Sequence, residues 1–148
     1  MSTDPIIVER TFTIPVSKVW KAITDKDEMK AWYFDLVEFK AEEGFRFEFT
    51  GGPSPEKQYQ HLCEVIEVIP NQKLVYSWRY EGHAGNSFVS FELFETGDQT
   101  LLRLSHSGIE SFPEDNPDLA VGNFIKGWND IVHKNLKGYL EGKKIADV

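Results

Sequence analysis

The chain has one cysteine, Cys63, in 148 residues, and this near-absence removes any internal disulfide framework. A lone thiol fits a reducing compartment. Positive charge is scarce as well: 16 lysines and arginines stand against 24 aspartates and glutamates, giving a formal net charge of −8. Nucleic acid and anionic membrane surfaces both demand a concentrated basic footprint, so neither is expected as a partner. No apolar run approaches the roughly 18 residues of a membrane span, and MSTDPIIVER lacks a basic region followed by a long apolar segment. The expectation is a soluble, cytoplasmic, single domain over 1–148, with a core from about 6 to 142 and a short flexible C-terminal tail.

Constellations that carry chemistry are also few. His61, His83, His106 and His133 are scattered without metal-site spacing, so no metal is expected. Ser105 and Ser107 flank His106, but strand neighbours point to opposite faces, and a hydrolase triad is unsupported. Gly51-Gly52 lies between strands rather than at a strand-to-helix turn, so no nucleotide cofactor, and no other, is expected. Glu42, Glu43, Glu64, Glu67 and Glu92 fall at turns or on solvated strand faces. Glu92 is placed to meet Arg103 across adjacent strands as a surface pair of little energetic weight.

What is present is a clear architectural pattern. In RTFTIPVSKVWKAITD, Phe12 and Ile14 alternate with polar residues, Pro15 pre-sets the backbone for a helix, and Val16, Val19, Trp20 and Ile23 recur at helical spacing. Thr24 and Asp25 can cap a second short helix in which Met29 and Trp32 share a face. Six strands are then predicted at 35–40, 45–50, 59–69, 74–81, 87–95 and 101–107, each rich in β-branched or aromatic residues. Short turns at Glu42-Glu43-Gly44, Pro70-Asn71-Gln72 and Glu95-Thr96-Gly97-Asp98 imply an antiparallel meander. Gly51 to Pro55 and Gly82 to Asn86 are expected as mobile rims.

A long final helix is expected from Asn116-Pro117 to about Gly142, followed by Lys143 and Lys144. Val121, Ile125, Trp128, Val132, Leu136 and Tyr139 form its apolar stripe. Gly122 and Gly127 weaken such a helix, and close packing is the expected reason for them. The order of elements predicts an α+β domain, β-α-α-β6-α, whose curved antiparallel sheet of about seven strands wraps around that helix.

The aromatic residues are the functional signal. Phe45, Phe47 and Phe49 alternate on one strand, Tyr76, Trp78 and Tyr80 on another, and Phe91 lies between Val89 and Leu93. These residues make either a packed core or the lining of a cavity for an apolar ligand, and the pattern leaves both open.

The chain resembles the START-like, or SRPBCC, superfamily with its helix-grip fold, and within it the family named after the activator of heat-shock-protein-90 ATPase. Phe12, Pro15, Val19, Trp20, Thr24 and Asp25 carry the likeness first, followed by EVIPNQKLVYSW, SFVSFEL, LRLSHSG and Gly127-Trp128. Two departures are Cys63, where many relatives have glycine, and Asn71, where one proline of the usual pair stands. The resemblance implies a non-catalytic protein holding a lipid-like, polyketide-like or aromatic molecule between sheet and final helix. Phe47, Phe49, Tyr59, His61, Trp78, Phe91, Phe124 and Trp128 are the candidate ligand residues. A cyclase- or dehydratase-like enzyme using His61 with Tyr59 is the alternative; a co-chaperone contact is a second one.

Overall fold

The computed structural model describes residues 5–33, 36, 38–54, 57–113, 119 and 121–146. Strand β1 (Ile6–Phe12) buries Ile6, Val8 and Phe12 on one side, as period-two alternation requires. Pro15 stands just outside α1 (Val16–Thr24) with φ −59°, and its carbonyl accepts from the backbone N–H of Lys18 at 3.0 Å. Asp25 caps α2 (Lys26–Trp32) by accepting from the N–H of Asp27 at 2.9 Å. Thr24 turns back instead, its hydroxyl donating to the Trp20 carbonyl at 2.7 Å. The Trp32 indole N–H donates to the Ala22 carbonyl at 2.9 Å and locks the two short helices together.

The strands that follow are β2 (Arg46–Ser54), β3 (Lys57–Ile69), β4 (Lys73–Tyr80), β5 (Ser87–Thr96) and β6 (Gln99–Ser107). With β1 they form one curved antiparallel sheet of six strands, ordered β1-β6-β5-β4-β3-β2. The expected seventh strand over 35–40 is therefore corrected. Leu36 and Phe39, three residues apart, are both buried, a spacing that alternating strand side chains do not deliver. Residues 38–40 run irregularly, and positions 35 and 37 lie outside the described residues.

Turn chemistry follows the sequence at Asn71, whose φ of +63° uses the left-handed region that asparagine tolerates. The Gly82–Asn86 rim is more constrained than expected. Ser111 Oγ lies 2.7 Å from the Asn86 carbonyl and accepts from the Asn86 N–H at 2.9 Å. At Gly85, with φ +105°, an added Cβ would stand 2.5 Å from the Ser111 carbonyl oxygen, so only glycine lets the two segments meet. The Gly51-to-Pro55 rim is in large part strand: Gly51 to Ser54 belong to β2, and Pro55 is outside the described residues.

The C-terminal helix is continuous in three stretches: α3 (Val121–Asp130), a wider π stretch (Ile131–Leu136) and α4 (Lys137–Ala146). Its expected start at Asn116-Pro117 falls outside the described residues. The expected stop near Gly142 is overrun, because helical backbone continues to Ala146; glycine permits a stop only when it takes up a positive φ. The buried row is Phe124, Trp128, Val132, Leu136 and Leu140, while Val121 and Ile125 are 52% and 44% exposed. Steps of four overshoot a 3.6-residue turn by about 40° each, and the π stretch takes part of that drift back. Five residues at constant spacing thus stay buried, in the helix-grip arrangement.

An added Cβ at Gly122 or Gly127 meets nothing within 4 Å, so close packing does not account for either glycine. Gly127→Ala is accordingly expected to stabilise the fold by about 0.5–1 kcal/mol, whereas Gly85→Ala is expected to destabilise it. Denaturant unfolding checks both, and a loss of stability in Gly127→Ala would show that the glycine serves a contact not described above.

Candidate functional site

The inner face of the sheet is built by parity and register. Phe47 and Phe49 on β2 lie opposite Cys63 and His61 on β3. Cys63 and His61 in turn lie opposite Trp78 and Tyr80 on β4, and Trp78 lies opposite Ser87 on β5. Aromatic side chains therefore meet across neighbouring strands, where directly opposed side chains make their closest contacts. His61 stacks on Phe49 with centroids 4.3 Å apart and meets Trp78 edge-on at 4.9 Å. From the helix, Trp128 lies 5.6 Å from Trp78 and 6.2 Å from Phe91.

A line of polar groups runs through this apolar space. The Trp128 indole N–H donates to His106 Nδ1 at 2.9 Å. Because an indole nitrogen only donates, Nδ1 is unprotonated and the imidazole proton is on Nε2. That N–H donates to Ser87 Oγ at 2.8 Å, and the Ser87 hydroxyl donates to the Trp78 carbonyl at 2.8 Å. Every proton direction is fixed by the two ends. His106 is fully buried, and burial draws its pKa down to about 3.

His61 is held differently. Its Nδ1 lies 3.2 Å from the Phe49 carbonyl and 3.1 Å from the Tyr59 carbonyl, so Nδ1 bears the proton it donates. Burial lowers its pKa to about 4, and those two carbonyls offset the effect only in part. Nearby, the hydroxyls of Tyr33 and Tyr76 are 2.5 Å apart. Burial, above all, raises both phenol pKa values well above the usual range. Burial likewise pushes the Cys63 thiol up, so burial favours the uncharged form of each of these groups.

Of the eight residues expected from sequence, Phe47, Phe49, His61, Trp78, Phe91, Phe124 and Trp128 are buried and joined through ring contacts. Tyr59 is half-buried and sits at the margin, 5.6 Å from Tyr80 and 5.4 Å from His83. Sequence reasoning passed over His106 and Ser87 as polar members of the interior. Their parity with Leu104 on β6 and with Val89 on β5 is the signal that finds them. Tyr33, which stacks on Trp128 at 6.2 Å, sits where α2 ends and carries no periodic signal.

A groove of about 580 Å³ opens beside the edge strand β2, lined by Phe45, Phe47 and Phe49 with Glu38, Arg46 and Gln60 among its polar residues. A second, of about 260 Å³, shares Arg46, Phe47 and Glu48 and reaches Cys63 and Arg79. On the outer face Arg103 pairs with Glu9 at 2.5 Å; Glu92 is opposite in register, but the guanidinium turns to β1. Among the described residues no cluster of three or more His, Cys, Asp or Glu could hold a metal ion, and no helix is long and apolar enough to cross a membrane.

The family model described as Activator of Hsp90 ATPase homolog 1-like protein matches residues 13–141. Among solved structures, MLL2253 from Mesorhizobium loti is similar over 93% of this chain and 96% of its own, with 29% identity and a TM-score of 0.75. CalU16 from Micromonospora echinospora is 25% identical over 96% of this chain and 79% of its own, with a TM-score of 0.72. DynU16, a protein of the dynemicin biosynthetic locus, shares the fold at 23% identity and a TM-score of 0.75; the match covers 95% of this chain. This chain spans about half of DynU16, 49% of its length. Comparison with curated proteins gave no match.

The two buried histidines make stability pH-dependent with a definite sign. Each is neutral when folded and takes up a proton when unfolded below about pH 6.5, so acidification favours the unfolded chain. Their contribution is a loss of stability as pH falls from about 6.5 toward the folded values of about 4 and about 3. The slope is at most about 1.4 kcal/mol per pH unit for each histidine. His61→Gln is expected to flatten the pH dependence by nearly one proton in denaturant titrations between pH 4.5 and 6; an identical slope would contradict the burial argument.

Proposed function

The chain belongs to the Activator of Hsp90 ATPase homolog 1-like family, with the helix-grip fold of SRPBCC ligand-binding proteins, and we propose that it binds a small apolar or aromatic molecule without transforming it. The observation that carries this reading is the continuous aromatic surface from Phe47 and Phe49 through His61 and Trp78 to Trp128, reached from the groove beside β2. Edge strand β2 gives the ligand its approach, since among the described residues its outer side has no strand partner in the sheet order. Apolar contact supplies affinity there, and a few buried donors supply orientation.

Two features favour binding over catalysis. His61 has a pKa of about 4, far from the near-neutral value that a general base at physiological pH requires. Its Nδ1 meets Tyr59 through the backbone carbonyl, so the ring is anchored to the strand at that nitrogen. A cytoplasmic setting accords with the lone buried cysteine, Cys63.

The neutral fluorophore N-phenyl-1-naphthylamine provides the test. Saturable binding with one site per chain is expected, with affinity reduced about tenfold or more in Phe49→Ala, as the loss of a buried aromatic contact of about 1.4 kcal/mol or more implies. Lack of saturable binding, or unchanged affinity in a folded Phe49→Ala protein, would contradict the proposal.

A further inference from the structure

Trp78 and Tyr80 are two residues apart on β4 and point to the same face. The Trp78 indole N–H donates to the Tyr80 phenol oxygen at 2.8 Å. An indole nitrogen has no acceptor capacity, so the Tyr80 oxygen is the acceptor and its own proton points elsewhere. Among the described residues no protein group receives that proton. Tyr80 is only 4% exposed, and burial keeps its hydroxyl protonated by raising its pKa above the usual phenol range.

The contrast with His106 is informative. The line from Trp128 through His106 and Ser87 ends on a carbonyl and uses up every donor. The line from Trp78 ends on an O–H with a proton to give. Buried donors are almost always met, and one that the protein itself leaves open marks a place where a water or a ligand accepts.

We propose that the Tyr80 hydroxyl is the specificity-determining donor of the binding site, and that the ligand presents to it a neutral carbonyl oxygen on a flat apolar body. The inference rests on the small-molecule reading above and adds the chemical class. The rings around Tyr80 are those of His61 at 4.8 Å, Phe112 at 5.3 Å, Tyr59 at 5.6 Å and Trp78 at 6.4 Å. They offer apolar faces and no cation, His61 being neutral at physiological pH. A carboxylate would be buried there without a counter-charge, which is costly; a ketone, ester or amide needs only the one hydrogen bond. From the groove beside β2 the line of rings runs through Phe49 and His61 to Tyr80, the latter two 4.8 Å apart.

The test uses 2-acetylnaphthalene, 2-ethylnaphthalene and 2-naphthoate, which share one ring system and differ at the acceptor. Quenching of tryptophan fluorescence is expected to give the acetyl compound about five- to tenfold tighter binding than the ethyl compound, the value of one hydrogen bond. Naphthoate is expected to bind more weakly than either. Tyr80→Phe is expected to bring the acetyl compound down to the affinity of the ethyl compound. Equal affinities in the unmodified protein, a preference that survives in Tyr80→Phe, or tighter binding of naphthoate would overturn the inference while leaving the small-molecule reading intact. Binding of none of the three would sink that reading as well. If Tyr80→Phe fails to fold, the carbonyl stretch of 13C-labelled 2-acetylnaphthalene bound to the unmodified protein decides. A shift to lower frequency than in alkane solvent supports the donor, and an alkane-like frequency overturns it.

Discussion

The hydrogen bond from Trp128 to His106 is the constraint on which the rest of the interior depends. It is the buried point at which the C-terminal helix and the sheet exchange a directional contact, because Trp128 belongs to α3 and His106 to β6; a half-buried contact between Arg10 of β1 and His133 at 3.1 Å adds to it further along the helix. Apolar packing turns one side of the helix inward but is itself non-directional. An indole N–H that must find an acceptor fixes one rotation, and the spacing of Phe124, Trp128, Val132, Leu136 and Leu140 then follows on the same side. The π stretch is the backbone adjustment that lets this row persist over about four turns without turning out to solvent.

Neutrality is the second consequence. Two histidines, a thiol and several phenols occupy the interior, yet burial drives each toward its uncharged form. Of the acidic residues that give the chain its net charge of −8, Glu28 is buried, on α2, where it pairs with Lys21 and accepts from the Tyr139 hydroxyl. What remains is a lining of aromatic faces with oriented N–H and O–H groups, chemistry suited to recognising shape and a single polar atom. Phe47 and Phe49 connect that lining to the groove at the sheet edge, where Arg46 and Glu48 alternate outward on the same strand.

Much of this order is legible in the chain itself. Period-two alternation in residues such as Leu74, Tyr76, Trp78 and Tyr80 gives both the strand and its inward face, and Asn71 marks the turn before it. The expected strand over 35–40 fails for a physical reason: its residues favour strands, but Leu36 and Phe39 are buried at a spacing of three, which strand alternation does not give. The helix face was misplaced because Val121 and Ile125 extend the stripe only on an ideal 3.6-residue helix, and a π stretch cannot be read from composition. His106 reads in sequence as a possible metal ligand or triad partner, neither of which holds, although its parity with Leu102 and Leu104 already places it inward. Which nitrogen bears the proton required Trp128, a residue 22 positions away, to be placed beside it.

The account stands or falls on that proton. Nitrogen-15 NMR of protein labelled at histidine reads the two ring nitrogens of His106 separately. The structure requires a proton on Nε2, an unprotonated Nδ1 that accepts from Trp128, and no titration between pH 8 and 5, given a folded pKa of about 3. A proton on Nδ1, or a titration near the ordinary histidine value of about 6.5, would contradict the joining of helix to sheet described here.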